Sequence, residues 1–515
     1  MHDGRFRRFL GGLSLGYVQA IAVAALGLWL TPFYLRRIGE HDFGLWLVVA
    51  QVLSYLALAD LGIVAILPRE VAHATGSRGQ HESPNVADVV TESVRVIAWQ
   101  MPLVVVGGLI AWVTLVWQWP ELQGPLTIVT VGFVLSFPFR VFPAVLQGLQ
   151  ELPYLGRIQL AGWVVSTVVT VALVHAGYGL FALVIGWIVT QGFTAGLALL
   201  RVITKFPGVM PQPPFLGPVP GRDRVVRGLW VSVNQIAQVL LNGTDFMLVG
   251  WMMGPAAVVM YSCTGRLASV LANQPQMFMQ MAVPVLSELR ASASRERLFD
   301  VSSSLSQVML LGSGAVACVV LGINQGFVTW WVGSQQFAGH LVTVLVLLVM
   351  MLRHLNLAVS YTLYSLGYER RLALTSIADG ALTLVSAIVT IRFLGLPGAV
   401  VASMIGVSLI SLPSNLRALA TDQGVSVLVV LRPLRSWSLR CGLMIAIVAA
   451  SSTMWTPRGF SLLVAASTIG ALYCAVMLPI LSAPPIGPRL AQILAGFFAW
   501  VPVPPKAVKP ATHRT

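Results

Sequence analysis

Among the charged side chains set inside apolar runs of this sequence are Arg140, Arg266 and Arg353, and the acids Asp60, Asp245 and Asp379. A charge held away from water is costly, so each is a functional candidate by default. A guanidinium is a planar fork that matches phosphate oxygens. The three arginines are therefore candidates to hold a phosphorylated, anionic group. Their plainer reading is an internal salt bridge, or a helix-end cation reaching for the interface. Arg140 lies in FPFRVFP, where Pro138 and Pro143 lack a backbone N–H and are expected to open the helix locally. The three acids also have two readings. Each pairs an arginine, or one of them binds a proton or sodium ion and couples it to the work done.

A second group is neutral and polar. Asn234, Gln235, Gln238 and Asn242 precede Asn273, Gln274, Gln276 and Gln280. Asn234 and Gln238 share a helical face by their four-residue spacing. Such a stripe faces protein or water, not lipid. It suits binding of a hydroxylated ligand, or hydrogen bonding between helices. No P-loop, GxSxG or HExxH pattern is present. The acids are too scattered to gather a metal ion, so neither metal nor cofactor is expected. Cys263, Cys318, Cys441 and Cys474 all fall in apolar runs and read as small buried hydrophobes, not a disulfide or zinc framework.

The elements that position these residues follow from composition. The 515 residues are 57% hydrophobic and only 10% charged, with a mean hydropathy of +0.82. A soluble domain carries about 25% charged residues. Apolar runs of about 20 residues cross the hydrocarbon core. Backbone polar groups must be satisfied within the lipid, and continuous runs of this length do so as helices. The sequence predicts an all-α polytopic membrane protein with about 14 transmembrane helices. The spans are near 10–34, 43–66, 89–117, 124–149, 158–175, 178–203, 227–251, 256–287, 305–332, 339–366, 372–392, 396–416, 437–455 and 459–481. The first is longer than a signal-peptide core and is expected to be retained.

With the N-terminus inside, 23 of the 32 basic residues fall on the cytoplasmic side and 4 on the outer side. Both termini are then cytoplasmic. This asymmetry accounts for the net charge of +14 without nucleic acid, and the basic side suits anionic membrane lipids. Trp112, Trp117, Trp119, Trp330 and Trp331 fall near outer span ends and are expected to form an interfacial belt. Residues 67–88, 204–226, 288–304 and 417–436 are expected as the long inner connections.

The halves repeat. Gly12 precedes Gly228 by 216 residues, Gly39 precedes Gly254 by 215 and Pro68 precedes Pro284 by 216. Residues 146–162 align with 363–379, and 177–186 with 395–406. The expected organisation is a six-helix lobe over 1–204, a Pro-rich cytoplasmic linker over 205–226, and a second six-helix lobe over 227–420. Two further helices follow within 421–481, then a cytoplasmic tail over 482–515. The even helix number makes the lobes parallel repeats, an arrangement that places a substrate between them near mid-bilayer.

Several of these residues carry a family resemblance. Gly12, Tyr17, Val18 and Gln19 lead to Leu30, Pro32 and the run Tyr34–Trp46, YLRRIGEHDFGLW. LADLGI from Leu58, PREVA from Pro68 and GPAAVVMY from Gly254 continue the pattern. It resembles the polysaccharide transporter family, of the O-antigen flippase type, within the multidrug/oligosaccharidyl-lipid/polysaccharide exporter superfamily. The resemblance implies two six-helix lobes around a central cavity. It implies export of an undecaprenyl-diphosphate-linked oligosaccharide to the outer leaflet of a bacterial inner membrane, working beside a glycan polymerase and glycosyltransferases. Arg140, Arg266 and Arg353 would take the diphosphate, and Asn234 and Gln238 the glycan. Asp60, Asp245 or Asp379 would couple proton or sodium movement. Fourteen spans are also similar to the lipid II flippase branch. A cation-coupled drug antiporter of the same superfamily is the other alternative; intramembrane arginines that match the buried acids favour an anionic substrate. Outer loops of a few residues leave no room for a catalytic site, so no enzyme is expected.

Overall fold

A computed structural model describes residues 25–76, 85–213, 222–292 and 295–482. Among them there is no strand. The helices are α1 (25–37), α2 (Glu40–Leu56), α3 (Ile63–Gly76), α4 (Val86–Gln118), α5 (Gln123–Ser136), α6 (Val141–Gly148), α7 (Leu152–His175), α8 (Leu180–Lys205) and α9 (Arg222–Met253). They continue with α10 (Pro255–Ser292), α11 (Arg295–Trp331), α12 (His340–Ser365), α13 (Glu369–Leu394), α14 (Leu396–Gly406), α15 (Leu412–Gln423), α16 (Val427–Leu431), α17 (Arg435–Met454) and α18 (Phe460–Leu481). Twelve helical segments are long and apolar enough to cross a membrane. A thirteenth, Gln235–Leu241 with Gly243–Met253, is bent by 47°. These thirteen match the second to fourteenth expected spans; of the first, only the end lies among the described residues, as helix α1.

The connections differ from expectation. The inner stretch 67–88 begins as helix α3, because Leu67, Val71 and Ala74 form a buried stripe at helical spacing. Residues 288–304 are almost wholly helical, with α10 running to Ser292 and α11 starting at Arg295. Hydropathy marks only the lipid-embedded part of a helix, and these helices outlast it. The linker is partly ordered: Pro207–Val209 make a 3₁₀ turn, and the Gln212 N–H donates to Thr91 Oγ1 at 2.9 Å.

The repeat is written into the backbone. Gly39 and Gly254 have φ of 97° and 92°. Gly179 (φ 51°, ψ −127°) and Gly395 (φ 65°, ψ −138°) cap α8 and α14 in one conformation. At the third aligned pair, Gly367 sits at φ 84° while Gln150 adopts φ 62° with a side chain. Left-handed turns at three matching offsets are a folded signature of duplication. The helix pairs that follow match as well. Gly186 of α8 packs on Thr170 and Ser166 of α7. Its aligned partner Gly406 of α14 packs on Thr383 and Asp379 of α13.

Two compact units are present. One comprises residues 1–270, 324–352 and 368–414; the other comprises 271–323, 353–367 and 415–515. In the first, a continuous core runs through Leu45, Leu67, Val90, Ile97, Phe137, Leu146, Val249 and Val258. In the second, α17 and α18 dock on α11 at its small residues. A Cβ at Gly314 would collide with Tyr473 Oη and lie 3.0 Å from Cys441 Sγ. One at Gly322 would collide with Ile469 Cδ1. Tyr473 Oη donates to the Leu311 carbonyl at 2.9 Å and accepts from Trp437 Nε1 at 3.2 Å. Small residues let membrane helices approach, and the hydrogen bonds fix the register.

Candidate functional site

Two spans of the first unit break at the same kind of turn, and the breaks meet. After α2 the chain tightens into a 3₁₀ turn, Ala57–Asp60, and reverses through Leu61 (φ 46°) and Gly62 (φ 73°). After α5 it forms the 3₁₀ turn Phe137–Arg140. The opening expected from Pro138 and Pro143 is therefore present. Arg140 Nη2 lies 3.3 Å from Asp60 Oδ2, and Arg140 Nη1 donates to the Ala57 carbonyl at 3.1 Å. The guanidinium also lies over the Phe137 ring, 5.4 Å from its centroid. Asp60 is buried. Its Oδ1 accepts from the Gly62 N–H at 2.9 Å, and its carbonyl accepts from Gln100 Nε2 at 3.1 Å. The cluster satisfies backbone groups that the broken helices release.

Arg266 is held differently. It lies on α10, half-buried, with Nη2 against α1: a Cβ at Gly27 would sit 2.6 Å away. Its Nε is buried, and no described group accepts from it. One residue along α1, the Leu28 carbonyl accepts the Trp331 indole N–H.

The other two acids have hydroxyl partners. Asp245 on α9 accepts from Tyr261 Oη at 2.7 Å through Oδ2. Asp379 on α13 is fully buried. Its Oδ2 accepts from Ser411 Oγ at 2.5 Å and its Oδ1 from Thr383 Oγ1 at 3.2 Å. Ser411 ends a π-helical turn, Val407–Ser411, the local widening that frequently marks functional positions.

Arg353 belongs to the second unit, half-buried on α12. It shares a face with Asn356 and Ser360, which accept from Asn415 Nδ2 at 2.9 and 3.2 Å. Beside it His354 is buried, with Nδ1 2.6 Å from Ser313 Oγ. Ser313 spends its own proton on the Met309 carbonyl at 2.7 Å, so His354 carries its proton on Nδ1. The side chains of Asn234 and Gln238 lie outside the described residues. Gln235 is half-buried, and Asn273 and Gln274 are exposed.

Two polar residues outside the sequence candidates are also engaged. Asn324 Nδ2 donates to the Thr264 carbonyl and to Thr343 Oγ1, both at 3.0 Å. Gln51 lies flat on Gly243. Asn324, which forms a polar pair with Gln325 inside an apolar run, was the available signal. Of the tryptophans near the outer span ends, Trp117 and Trp330 are exposed, Trp119 and Trp331 are buried, and Trp112 Nε1 donates to Thr127 Oγ1 at 2.9 Å. Among the described residues no three His, Cys, Asp or Glu side chains are grouped to hold a metal.

The pattern described as "Polysaccharide biosynthesis protein" matches residues 38–335, more than half of the chain. The chain belongs to that family. It is 21% identical over 339 residues to the "Uncharacterized membrane protein EpsK" of Bacillus subtilis (strain 168). That match spans 64% of this chain and 66% of the relative, just under two thirds of its length. The fold is similar to "Lipid II flippase MurJ, inward closed conformation", with a TM-score of 0.59 at 14% identity, over 92% of this chain and 99% of that one. It is also similar to the MATE multidrug transporter DinF-BH, with a TM-score of 0.54 at 14% identity, over 80% of this chain and 95% of that one. This member of the polysaccharide biosynthesis family is thus a multi-pass membrane protein with the flippase and multidrug-exporter fold. The all-α fold of about 14 transmembrane helices expected from the sequence agrees with this likeness.

Proposed function

We propose that the protein flips an undecaprenyl-diphosphate-linked oligosaccharide, a polysaccharide precursor, from the inner to the outer leaflet of a bacterial cytoplasmic membrane by alternating access. The lobes 1–204 and 227–420 would rock about the linker, with both termini cytoplasmic. The observation that carries this reading is the Arg266 guanidinium, drawn into a membrane helix bundle with its buried Nε unclaimed among the described residues. A cation so placed is costly unless an anion visits it. Arg266 and Arg353 would take the diphosphate, while Arg140, engaged with Asp60, would shape the site. Asn234 and Gln238 would meet the glycan. Asp379, seated at a π turn, and Asp245 are the candidates for proton or sodium coupling; the Arg140 partner makes Asp60 the weakest.

The test is Arg266→Ala and Arg353→Ala in a strain that depends on this protein for surface polysaccharide. Export should fall at least about tenfold at equal protein level, since losing one charge-assisted contact costs about 1.5–3 kcal/mol or more. Wild-type export in both variants would end the assignment. The fold likeness to a multidrug exporter supports a second reading, a cation-coupled drug antiporter. A resistance phenotype with no glycan defect on deletion would place that reading first.

A further inference from the structure

One face of α2 meets α9 and α10 over four successive turns, at Gly44, Val48, Gln51 and Tyr55. The spacing of four, three and four residues keeps them in one line. A Cβ at Gly44 would collide with the Pro255 carbonyl oxygen. One at Gly250 would lie 2.6 Å from Val48 Cγ2, and one at Gly243 would collide with the Gln51 amide. Glycine therefore occupies one side of each of these three contacts. At Gly44 backbone meets backbone, and at Gly250 and Gly243 a single side chain, Val48 or Gln51, lies over a bare glycine. At the fourth turn the contact becomes polar. Tyr55 Oη lies 2.7 Å from Thr244 Oγ1. Thr244 donates its own proton to the Leu240 carbonyl at 2.9 Å, so Tyr55 is the donor. Immediately beyond, α2 ends in the 3₁₀ turn that Arg140 clamps. All of these residues belong to the first unit.

We propose that this line is a separable seam of the outer gate, and that the Tyr55–Thr244 hydrogen bond is the latch that holds it shut. The seam starts at the Gly39 and Gly254 turns, which the distribution of basic residues puts outside, and it joins a helix of the first lobe to helices of the second. It rests on the alternating-access reading above and names the residues that would regulate it. With glycine on one side of each contact, no two side chains have to disengage from each other when the seam parts, so one hydrogen bond weighs heavily in the balance between shut and open. Interhelical hydrogen bonds in membranes are worth enough to shift such a balance roughly three- to thirtyfold.

Two measurements test the seam and the latch separately. In a chain whose Cys263, Cys318, Cys441 and Cys474 are changed to alanine, Val48→Cys with Gly250→Cys places the two Cβ positions 3.9 Å apart, near the roughly 3.8 Å typical of disulfides. With copper phenanthroline and oxygen, the two thiols give up two electrons and two protons to the oxidant and the S–S bond forms. Export should stop, and dithiothreitol should restore it. Failure to cross-link, or full cross-linking with unchanged export, overturns the seam. For the latch, Val48→Cys alone is labelled from outside with a membrane-impermeant maleimide. Adding Tyr55→Phe, or separately Thr244→Val, should raise labelling about three- to thirtyfold. Unchanged labelling in both overturns the latch. This readout needs no substrate, so it holds or fails whether or not the transported lipid is the one proposed.

Discussion

Arg140 reaches both ends of one helical break: its Nη1 takes the Ala57 carbonyl and its Nη2 the Asp60 carboxylate, three residues apart in a single 3₁₀ turn. One side chain thus closes the break in the second span from the break in the fourth. Asp60 is buried, and Arg140 is 29% exposed.

Removing one partner leaves the other charge uncompensated, at a cost of about 3–5 kcal/mol for a buried pair. Arg140→Ala and Asp60→Leu should each lower the thermal midpoint of the purified protein in detergent. The double variant Arg140→Met with Asp60→Leu should recover part of that loss. Equal loss in single and double variants would show that the pair carries no coupling.

Gln150 occupies a left-handed turn that its repeat counterpart Gly367 fills at lower cost. The Glu151 N–H donates to the Leu146 carbonyl at 3.0 Å there, the long-range bond that closes a helix C-terminus. An L side chain in this region costs roughly 1–2 kcal/mol. Gln150→Gly should stabilise the protein by up to about 1 kcal/mol, and Gly367→Gln should destabilise it. Thermal melts of the two variants moving the same way would contradict the assigned backbone.

The inner ends of α7 and α8 are tied by Glu151, which accepts from Lys205 Nζ and, at 2.9 Å, from Arg201 Nη2. The hydrogen bond from Lys205, then that from Arg201, holds the Glu151 carboxyl below its ordinary value of 4.5. A depressed carboxyl contributes stability that is complete above its ordinary value and is lost as pH falls through the folded-state value. Stability measured from about pH 7 downward should therefore fall below pH 4.5 by less in Glu151→Gln than in the parent. Identical acid profiles would remove the contribution. Because the pair is at the surface, the difference will be small.

Gly314 carries the two C-terminal helices. A larger residue there meets Tyr473 Oη and Cys441 Sγ on both incoming helices. Gly314→Leu should cost about 1–3 kcal/mol through overpacking and expose the 424–426 connection to protease in membranes. Protease resistance equal to the parent would show that α17 and α18 are held elsewhere.

Much of the fold was legible because lipid imposes one rule. Runs such as 339–366 and 459–481 have no alternative to helix, and their counterparts His340–Ser365 and Phe460–Leu481 agree within a residue or two. The proline pair around Arg140 announced a break, and the break is present. Partners were not legible. Asp60 meets Arg140 from far along the chain, and nothing in the local sequence selects Arg140 over Arg95 or Arg353. Asp245 was weighed as an arginine partner, yet its carboxylate takes a hydroxyl from Tyr261, a residue that entered the sequence reading only as the end of the GPAAVVMY motif. The α2 seam was hidden because glycine in a membrane helix is common, and only packing shows which glycine a neighbour needs.

Transbilayer movement can be measured in liposomes holding the purified protein and a fluorescent undecaprenyl-diphosphate-linked oligosaccharide. The outer-leaflet fraction is read by a membrane-impermeant quencher. The parent should move the lipid, an equal amount of Arg266→Ala with Arg353→Ala should move it at least about tenfold more slowly, and the same lipid without its diphosphate should not be moved. Movement at the parental rate by the double variant, or of the phosphate-free lipid by the parent, would contradict a cationic site that carries an anionic headgroup across the membrane.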